Sequence, residues 1–436
     1  MRGLDLDQPL APSAWHGSLW REAPDHQSNP SLQDNIQVDV AVVGAGFTGL
    51  RAATRLAEAG CSVTVLDAQD VGWGASGRSG GQVNPMLPVN SPDQIRALVG
   101  ERAFSNLSKA SLKSADELFE LIETYQIRCD ARQNGWLRVL HSEKALRQAE
   151  KDHKNWNAIG GEMQLIEGAE VERLSGSPKY KAGVVTKRGG AVHPFKLVCG
   201  LARVAKAAGV QIFAQSPVQK TERSGNHWVA TTPEGQVTAE WIVVATNGYT
   251  DALVPGLARS IIPVTPIQIA TDPLPDDVYH SILPQGHTIS DSRRIIMYAR
   301  REPDNRVVYG GLGRVKNGEF TGFDWLKADA VKVFPQLKDA TWSHNWGGSI
   351  ALTDDHLPHV HQPQDKMLVG LGYNGRGVAM SFVVGRTLAE KVLGEKDQDL
   401  DLPISAIKPF ALRSTKMFGM RTAVSLMRLL DRWEFR

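Results

Sequence analysis

The chain has 436 residues, 42% of them hydrophobic, and its 49 basic side chains nearly balance 47 acidic ones, leaving a formal charge of +2. Such a length suggests two or three domains of ~100–200 residues with cores that need no disulfide or metal staple, and it excludes disordered, collagen-like and small stapled scaffolds. Balanced charge, without a Lys/Arg stripe interleaved with aromatics, gives no grip on a phosphate backbone, so nucleic acid is not expected as a partner.

Residues 1–35 form a polar lead-in carrying Asp5, Asp7, Glu22, Asp25 and several prolines. It lacks the basic start and apolar block of a secretory signal, and no apolar run reaches the ~18–20 residues of a membrane span. Cys61, Cys129 and Cys199 lie far apart with no Cys-x-x-Cys pair. That usage suits a reducing compartment, and a cytoplasmic location is expected.

Residues 38–43 are an apolar, β-branched run ended by Gly44, the pattern of a buried parallel strand. Leu50, Ala53, Leu56 and Ala57 then recur at helical spacing up to Gly60, and Val63–Leu66 restarts a strand that ends at Asp67. Between strand and helix stands Gly44-Ala45-Gly46-Phe47-Thr48-Gly49. All parts of a dinucleotide fingerprint are in register: glycines for the tight turn and close approach of a pyrophosphate, a helix N-terminus for the anion, and an acid for a ribose hydroxyl.

The next segment, Gly72-Trp73-Gly74-Ala75-Ser76-Gly77-Arg78-Ser79-Gly80-Gly81-Gln82-Val83-Asn84, is too glycine-dense for an ordinary surface loop. It offers backbone amides to a second part of a large cofactor, as the ribityl chain and ring of a flavin require, whereas NAD ends sooner. Gly77 to Gly81 also spells a serine-hydrolase elbow. That elbow needs a helix directly behind the serine, which Asn84-Pro85-Met86-Leu87-Pro88 cannot begin.

Residues 91–188 read as helical and then mixed, and 263–313 as strand-like and broken by prolines. Between them, His193-Pro194 opens a helix with Leu197, Val198, Leu201 and Val204 on one face and Gly209 at its end. Strands are expected at 210–213 and 241–244. The alternation in 292–301 predicts a strand with Arg294, Ile296, Tyr298 and Arg300 on one face. There Tyr298 and Arg300 can clamp a substrate carboxylate, the guanidinium as a fork and the phenol as a donor; arginines on a solvated strand edge are the alternative. Trp346 reads either as a wall of the substrate cavity or as a core tryptophan.

His356, His359 and His361 beside Asp354 and Asp355 carry ligand chemistry, but Pro358 spoils a helical spacing and no metal is expected. A second Gly-x-Gly-x-x-Gly, Gly370-Leu371-Gly372-Tyr373-Asn374-Gly375, follows a strand at 366–369 and precedes an apolar helix running to about Gly394. Residues 395–403 contain neither a second strand nor a closing acid, so this nucleotide unit is incomplete. It reads as a helix N-terminus aimed at the pyrimidine edge of a flavin, and an organic substrate rather than NAD(P)H is then the reductant. From Leu412 to Arg436, basic residues interleave with Met417, Val424, Leu426, Met427, Leu429 and Leu430. This is either a basic amphipathic helix on a membrane surface or one packed on the protein itself or another subunit.

In chain order, 39–67, 74–82, Ala245-Thr246-Asn247-Gly248, Trp346-Gly347-Gly348 through Ala351-Leu352-Thr353, and Gly372-Tyr373-Asn374-Gly375-Arg376-Gly377-Val378 resemble the FAD-dependent D-amino-acid-oxidase-like superfamily. Within it the chain looks most like the bacterial γ-glutamylputrescine oxidases and L-pipecolate oxidases, over about 39–393. The resemblance implies an α/β fold with a discontinuous Rossmann-like FAD-binding domain (36–90, 189–255 and 341–395). It also implies an α+β substrate domain built on a mixed sheet (91–188 and 256–340), and leaves a tail at 396–436.

The implied reaction is oxidation of a C–N bond in an amine or amino acid by hydride transfer to flavin N5. The resulting imine hydrolyses and O2 reoxidises the flavin. A membrane-associated dehydrogenase using quinone, and a non-catalytic nucleotide-binding flavoprotein, are the alternatives. FAD contacts are implied at Gly44, Gly46, Phe47, Thr48, Gly49, Asp67, Ala68, Gly74, Ala75, Ser76, Arg78, Ser79, Gly80, Gly81, Gln82, Val218, Thr246 and Gly248. Further ones are implied at Gly347, Gly348, Gly372, Asn374, Gly375, Arg376, Gly377 and Val378, and substrate contact is expected at Tyr298, Arg300, Trp346 and Asn374. Arg376 stands where relatives often have histidine. No cysteine or histidine lies in an attachment motif, so non-covalent FAD is expected, and no catalytic base is assigned.

Overall fold

The computed structural model describes residues 17–22 and 28–411, with Arg413, Gly419, Val424, Met427, Leu430, Asp431, Trp433, Glu434 and Phe435 beyond them. Asp5, Asp7 and Asp25 of the lead-in, and Lys416, Met417, Arg421, Leu426, Arg428, Leu429, Arg432 and Arg436 of the C-terminal stretch, lie outside the described residues.

β1 (Asn35–Val43), α1 (Phe47–Glu58) and β2 (Val63–Leu66) form a strand–helix–strand unit, β1 and β2 running parallel from Val40↔Val63 to Val43↔Leu66. The apolar run fills β1 from Val40 to Val43, which is buried, whereas Asn35 to Asp39 is more exposed and is held in the strand by pairing with Gln236–Ala239. α2 (Pro194–Ala207) starts with His193 accepting from Lys196 N–H at 3.2 Å and with Pro194 in its first turn, and it leads into β3 (Gln211–Phe213). β4 (Gln236–Val244), β5 (Met367–Leu371) and α3 (Gly377–Val392) complete the layer.

The sheet order is Ile404–Ser405, His359–Gln364, β5, β4, β1, β2, β3, parallel throughout β5 to β3. A hairpin of Lys220–Ser224 and His227–Thr231 pairs with β4. α1, α2 and α3 pack together on one face of this Rossmann-like sheet.

A second, eight-stranded sheet belongs to the substrate domain. Its order is Trp342–Gly347, Pro266–Thr271, Val307–Leu312, Tyr298–Arg301, Thr288–Asp291, Trp136–Leu140, Ala182–Thr186, Met163–Glu167. It is mixed because Thr288–Asp291 runs parallel to Trp136–Leu140 while the other pairs are antiparallel. Two stretches far apart in sequence meet at that parallel pair. One face packs Leu137, Ile267, Ile289 and Tyr309 into its own core with the helix Phe323–Val333. Trp136, Leu140 and Val184 point the other way, into the cluster shared with α1 to α3.

Two expectations need correction. Trp342–Gly347, assigned by the boundary at 341 to the FAD-binding part, is hydrogen-bonded to Pro266–Thr271 in the second sheet. In 292–301 only Tyr298–Arg301 is strand; Asp291 accepts from Met297 N–H and grips Arg293, bending 292–296 into a turn. Arg294 instead pairs with Asp431 (2.9 Å) and Glu434 (2.8 Å), so the C-terminal stretch docks on the protein's own substrate domain. No helix among the described residues is long and apolar enough to cross a membrane.

Candidate functional site

β1 ends at Gly44, whose φ of +109° turns the chain under α1; a Cβ there would stand 2.9 Å from the Ala245 carbonyl oxygen. One at Gly46 would stand 2.8 Å from Ser76 Oγ, and one at Gly49 would overlap the Gly44 carbonyl oxygen. The backbone therefore approaches as closely as the fingerprint requires. No side chain caps α1, which leaves first-turn N–H groups for an anion, although Phe47 N–H donates to Ser76 Oγ at 3.0 Å.

At the end of β2, Asp67 accepts from Ala45 N–H (2.7 Å) and Gln69 N–H (2.9 Å). Burial pushes its carboxyl up to about 6 against these hydrogen bonds. Ser216 N–H donates to the Asp67 carbonyl at 2.8 Å, bringing buried Val218 to this end of the sheet, while Ala68 is exposed beside the acid.

The second glycine segment is clamped between the two sheets. Ala75–Arg78 forms one short helical turn, and Arg78 donates from Nε to the Trp73 carbonyl at 2.6 Å. Trp346 Nε1 donates to the Arg78 carbonyl (3.0 Å) and Trp20 Nε1 to the Ser79 carbonyl (2.9 Å). Gly74 lies under the Tyr249 ring and Gly80 under that of Tyr298. Gln82 Nε2 bridges to the carbonyls of Ile289 and Ala299 at 3.1 and 2.9 Å.

Arg300, only 1% exposed, donates from Nη1 to the carbonyls of Gly80 (3.2 Å), Gly81 (2.9 Å) and Val192 (2.6 Å), and its Nε to Glu302. Tyr298 and Arg300 thus share a face, as the alternation implies. There Arg300 braces the cofactor loop, and Tyr298 accepts from Gln268 Nε2 at 2.5 Å. Trp346 is 1% exposed and stacks edge-on to Trp20, which makes it a wall behind the loop.

The second Gly-x-Gly-x-x-Gly lies opposite. Gly372 N–H donates to Asn247 Oδ1 at 3.0 Å, Asn374 Oδ1 accepts from Thr353 N–H at 3.0 Å, and Asn374 Nδ2 donates to Thr353 Oγ1 and the Gly372 carbonyl. Asn374 is therefore committed to shaping the loop. Tyr373 OH hydrogen-bonds Thr48 Oγ1, tying the start of α3 to the first cradle. Thr246 bonds Thr250 Oγ1 at 2.7 Å, Gly248 lies against Ser349, and Gly348 lies beside Arg78, whereas Gly347 faces Phe320 and Ile267 of the second domain and Val378 is buried at the start of α3.

Arg376 caps α3 without a hydrogen bond from its side chain and reaches to 4.7 Å above the Trp136 ring. Trp136, Arg138 and Gln268, on the sheet face toward the cofactor loops, are residues that the sequence reading missed. Strand alternation groups Trp136 with Arg138 but cannot say which face meets the flavin.

The glycines that a Cβ would block, the uncapped start of α1 and the acid at the end of β2 fit a dinucleotide. The clamped loop 74–82 fits the further length of backbone that FAD would need beyond the pyrophosphate. The FAD dependent oxidoreductase family matches residues 39–391, and the chain belongs to it. FAD is bound non-covalently.

Among relatives, the probable oxidoreductase OrdL of Haemophilus influenzae is 32% identical over 93% of this chain and 94% of its own. The gamma-glutamylputrescine oxidoreductase of Escherichia coli is 33% identical over 84% of this chain and 86% of its own. In fold, the chain is similar to the crystal structure of glycine oxidase from Geobacillus kaustophilus, with a TM-score of 0.71, 21% identity, and coverage of 83% of this chain and 96% of that one.

Proposed function

We propose that this FAD-dependent oxidoreductase oxidises the carbon–nitrogen bond of an amine or amino acid and passes the electrons to O2. The observation that carries this reading is that only one of the two glycine loops belongs to a complete strand–helix–strand unit closed by an acid. Without a second such unit among the described residues, the organic substrate is read as the reductant. The names of relatives as glycine oxidase and gamma-glutamylputrescine oxidoreductase support the C–N bond as the target.

FAD, when bound, supplies a hydride acceptor at N5. The reacting carbon loses hydrogen with both electrons, the nitrogen loses a proton, and the resulting imine is hydrolysed by water. An alkyl ammonium has a pKa near ~10.4, so presenting the free amine at pH 7 costs about 4–5 kcal/mol. Burial between the two sheets and the nearby cations Arg376 and Arg138 lower that cost, because both disfavour a second positive charge.

The test is an anaerobic panel of polyamines, γ-glutamylated amines, pipecolate, sarcosine and D-amino acids added to the yellow protein. Bleaching by at least one of them, reversed by air, is expected; a panel that leaves the flavin oxidised sinks the reading. A quinone acceptor is the second reading, favoured by exposed Met427, Leu430 and Trp433 beside the docked Asp431 and Glu434. Reoxidation that is slow in air and fast with a soluble quinone selects it.

A further inference from the structure

The C-terminal segment turns two faces to different surroundings. Asp431 and Phe435, four residues apart, face the protein: Asp431 accepts from Ile295 N–H at 2.9 Å, and Phe435 packs on the Tyr180 ring at 5.1 Å. Leu430 and Trp433 are helical residues three apart, on the side away from that contact, and both are exposed, Trp433 by 69%. Met427, a turn earlier, is exposed as well. Ile296, next to the Ile295 that holds Asp431, adds a fourth exposed apolar side chain from the substrate domain. Scattered singly such side chains need no explanation, but four gathered from two segments make a patch that a partner covers.

Charge narrows the partner. Residues 412–436 carry six basic side chains against two acids, Asp431 and Glu434. Both acids are taken by Arg294, at 2.9 and 2.8 Å, so the charge left for an outside partner is positive. A second copy of the chain would meet this patch with the same patch in a two-fold contact, basic against basic, and is disfavoured. An anionic bilayer answers both properties. Tryptophan and leucine enter the zone between headgroups and acyl chains, and lipid phosphates balance the basic charge.

We propose that the exposed face of the C-terminal segment, with Ile296 beside it, docks the protein peripherally on an anionic lipid surface. The substrate domain is then the side nearest the lipid, because Arg294, His141 and Tyr180 hold the segment there. Docking of this kind goes beyond the oxidation itself and is independent of which acceptor reoxidises the flavin.

The holoenzyme is mixed with extruded vesicles of phosphatidylcholine alone, or of phosphatidylcholine and phosphatidylglycerol in equal parts, and the floated fraction is read by its flavin absorbance. Binding to the anionic vesicles at low ionic strength, its loss in high salt, and little binding to phosphatidylcholine alone are expected. Leu430→Ser combined with Trp433→Ser should lower the partition coefficient at least tenfold, and Ile296→Ser by a smaller factor, with FAD content and thermal unfolding unchanged. Where the double variant loses FAD or yield, Trp433→Ser alone replaces it, with at least a threefold loss expected. No flotation with anionic vesicles, equal flotation with both vesicle types, or an unchanged partition in the tail variant overturns the proposal. Self-association of the native protein that Trp433→Ser abolishes, with vesicles left unbound, also overturns it, since the patch then belongs to a second copy.

Discussion

The two Gly-x-Gly-x-x-Gly loops share a spelling and a place between a parallel strand and a helix, yet their glycines answer to different forces. In 44–49 every glycine is pressed by something: Gly44 by Ala245, Gly46 by Ser76, and Gly49 by the Gly44 carbonyl itself. In 370–375 the first glycine makes room for Val384 and Leu388, and Gly372 adopts φ of +83° against Thr353. Gly375 has φ of +91° and open space where a Cβ would go. The first unit is closed by Asp67 at the end of a neighbouring parallel strand. The second runs through α3 to Ile404–Ser405, which joins the far edge beside His359–Gln364. Spelling marks a helix entering over a tight turn; the third glycine's neighbours and the closing acid decide whether a nucleotide can lie there.

The sharpest way to break this comparison is to put a side chain on the third glycine of each loop. Gly49→Val puts atoms into a backbone carbonyl that cannot yield, and should cost about 3 kcal/mol, the upper range for overpacking. We expect protein that is poorly soluble or colourless. A stable yellow Gly49→Val variant would show that α1 can move off the turn.

Asp67 comes next, because it holds the Ala45 and Gln69 N–H groups and is placed for a ribose hydroxyl. Asp67→Ala removes hydrogen bonds to a charged group worth ~1.5–3 kcal/mol, so FAD affinity should fall about tenfold to a hundredfold, read by dilution and filtration. Its pKa, about 6, is raised above the unfolded ~3.9. The FAD-free chain therefore has this group's stabilisation in full below pH 4 and loses it as pH rises through 6. FAD, which would donate a hydroxyl to the carboxylate, should bind progressively better over that window. A flat affinity between pH 4.5 and 7 would show that no such bond forms.

Gly375→Ala is the matching change in the second loop. Only its positive φ resists a side chain, so a loss of ~1 kcal/mol in stability is expected with FAD content unchanged. Loss of flavin here would mean that the second loop is as tightly bound to the cofactor as the first.

Legibility followed the range of the forces. The unit from β1 to Asp67 is local, so its apolar run, helical spacing and glycines could be read directly. Asn35 to Gln37 were missed because their strand character comes from Gln236–Thr238, some two hundred positions away in sequence. The polar hairpin Lys220–Thr231 is similarly borrowed from β4. Arg300 was legible as a residue on the cofactor-facing strand face, but its job was not, since its acceptors at Gly80, Gly81 and Val192 are remote. Arg376 was noticed as a departure from its relatives; that its Nε has no hydrogen-bond partner among the described residues became visible only once it was placed over Trp136.

The smallest effect is expected where the C-terminal stretch meets the substrate domain. Arg294 binds Asp431 and Glu434, His141 Nε2 lies 3.1 Å from Glu434, and Asp431 accepts from Ile295 N–H at 2.9 Å. Phe435, 4% exposed, packs at 5.1 Å on the Tyr180 ring. The hydrogen bond from Arg294, reinforced by His141, pulls the Glu434 carboxyl down to about 2. Its folded value thus lies below the unfolded ~4.3, so the contribution is present above pH 4.3 and is lost as pH falls toward 2. Ion pairs this near the surface are worth only ~0–1 kcal/mol, and Phe435 remains buried whatever the charge. Glu434→Gln should therefore loosen the docking a few-fold at neutral pH without affecting FAD, read as faster hydrogen exchange at Ile295 and Phe435. In the native protein that exchange, corrected for its intrinsic pH dependence, should hold steady from pH 7 to 5 and rise below 4. If Glu434→Gln and acid leave both amides as protected as before, the aromatic contact and Asp431 hold the segment by themselves.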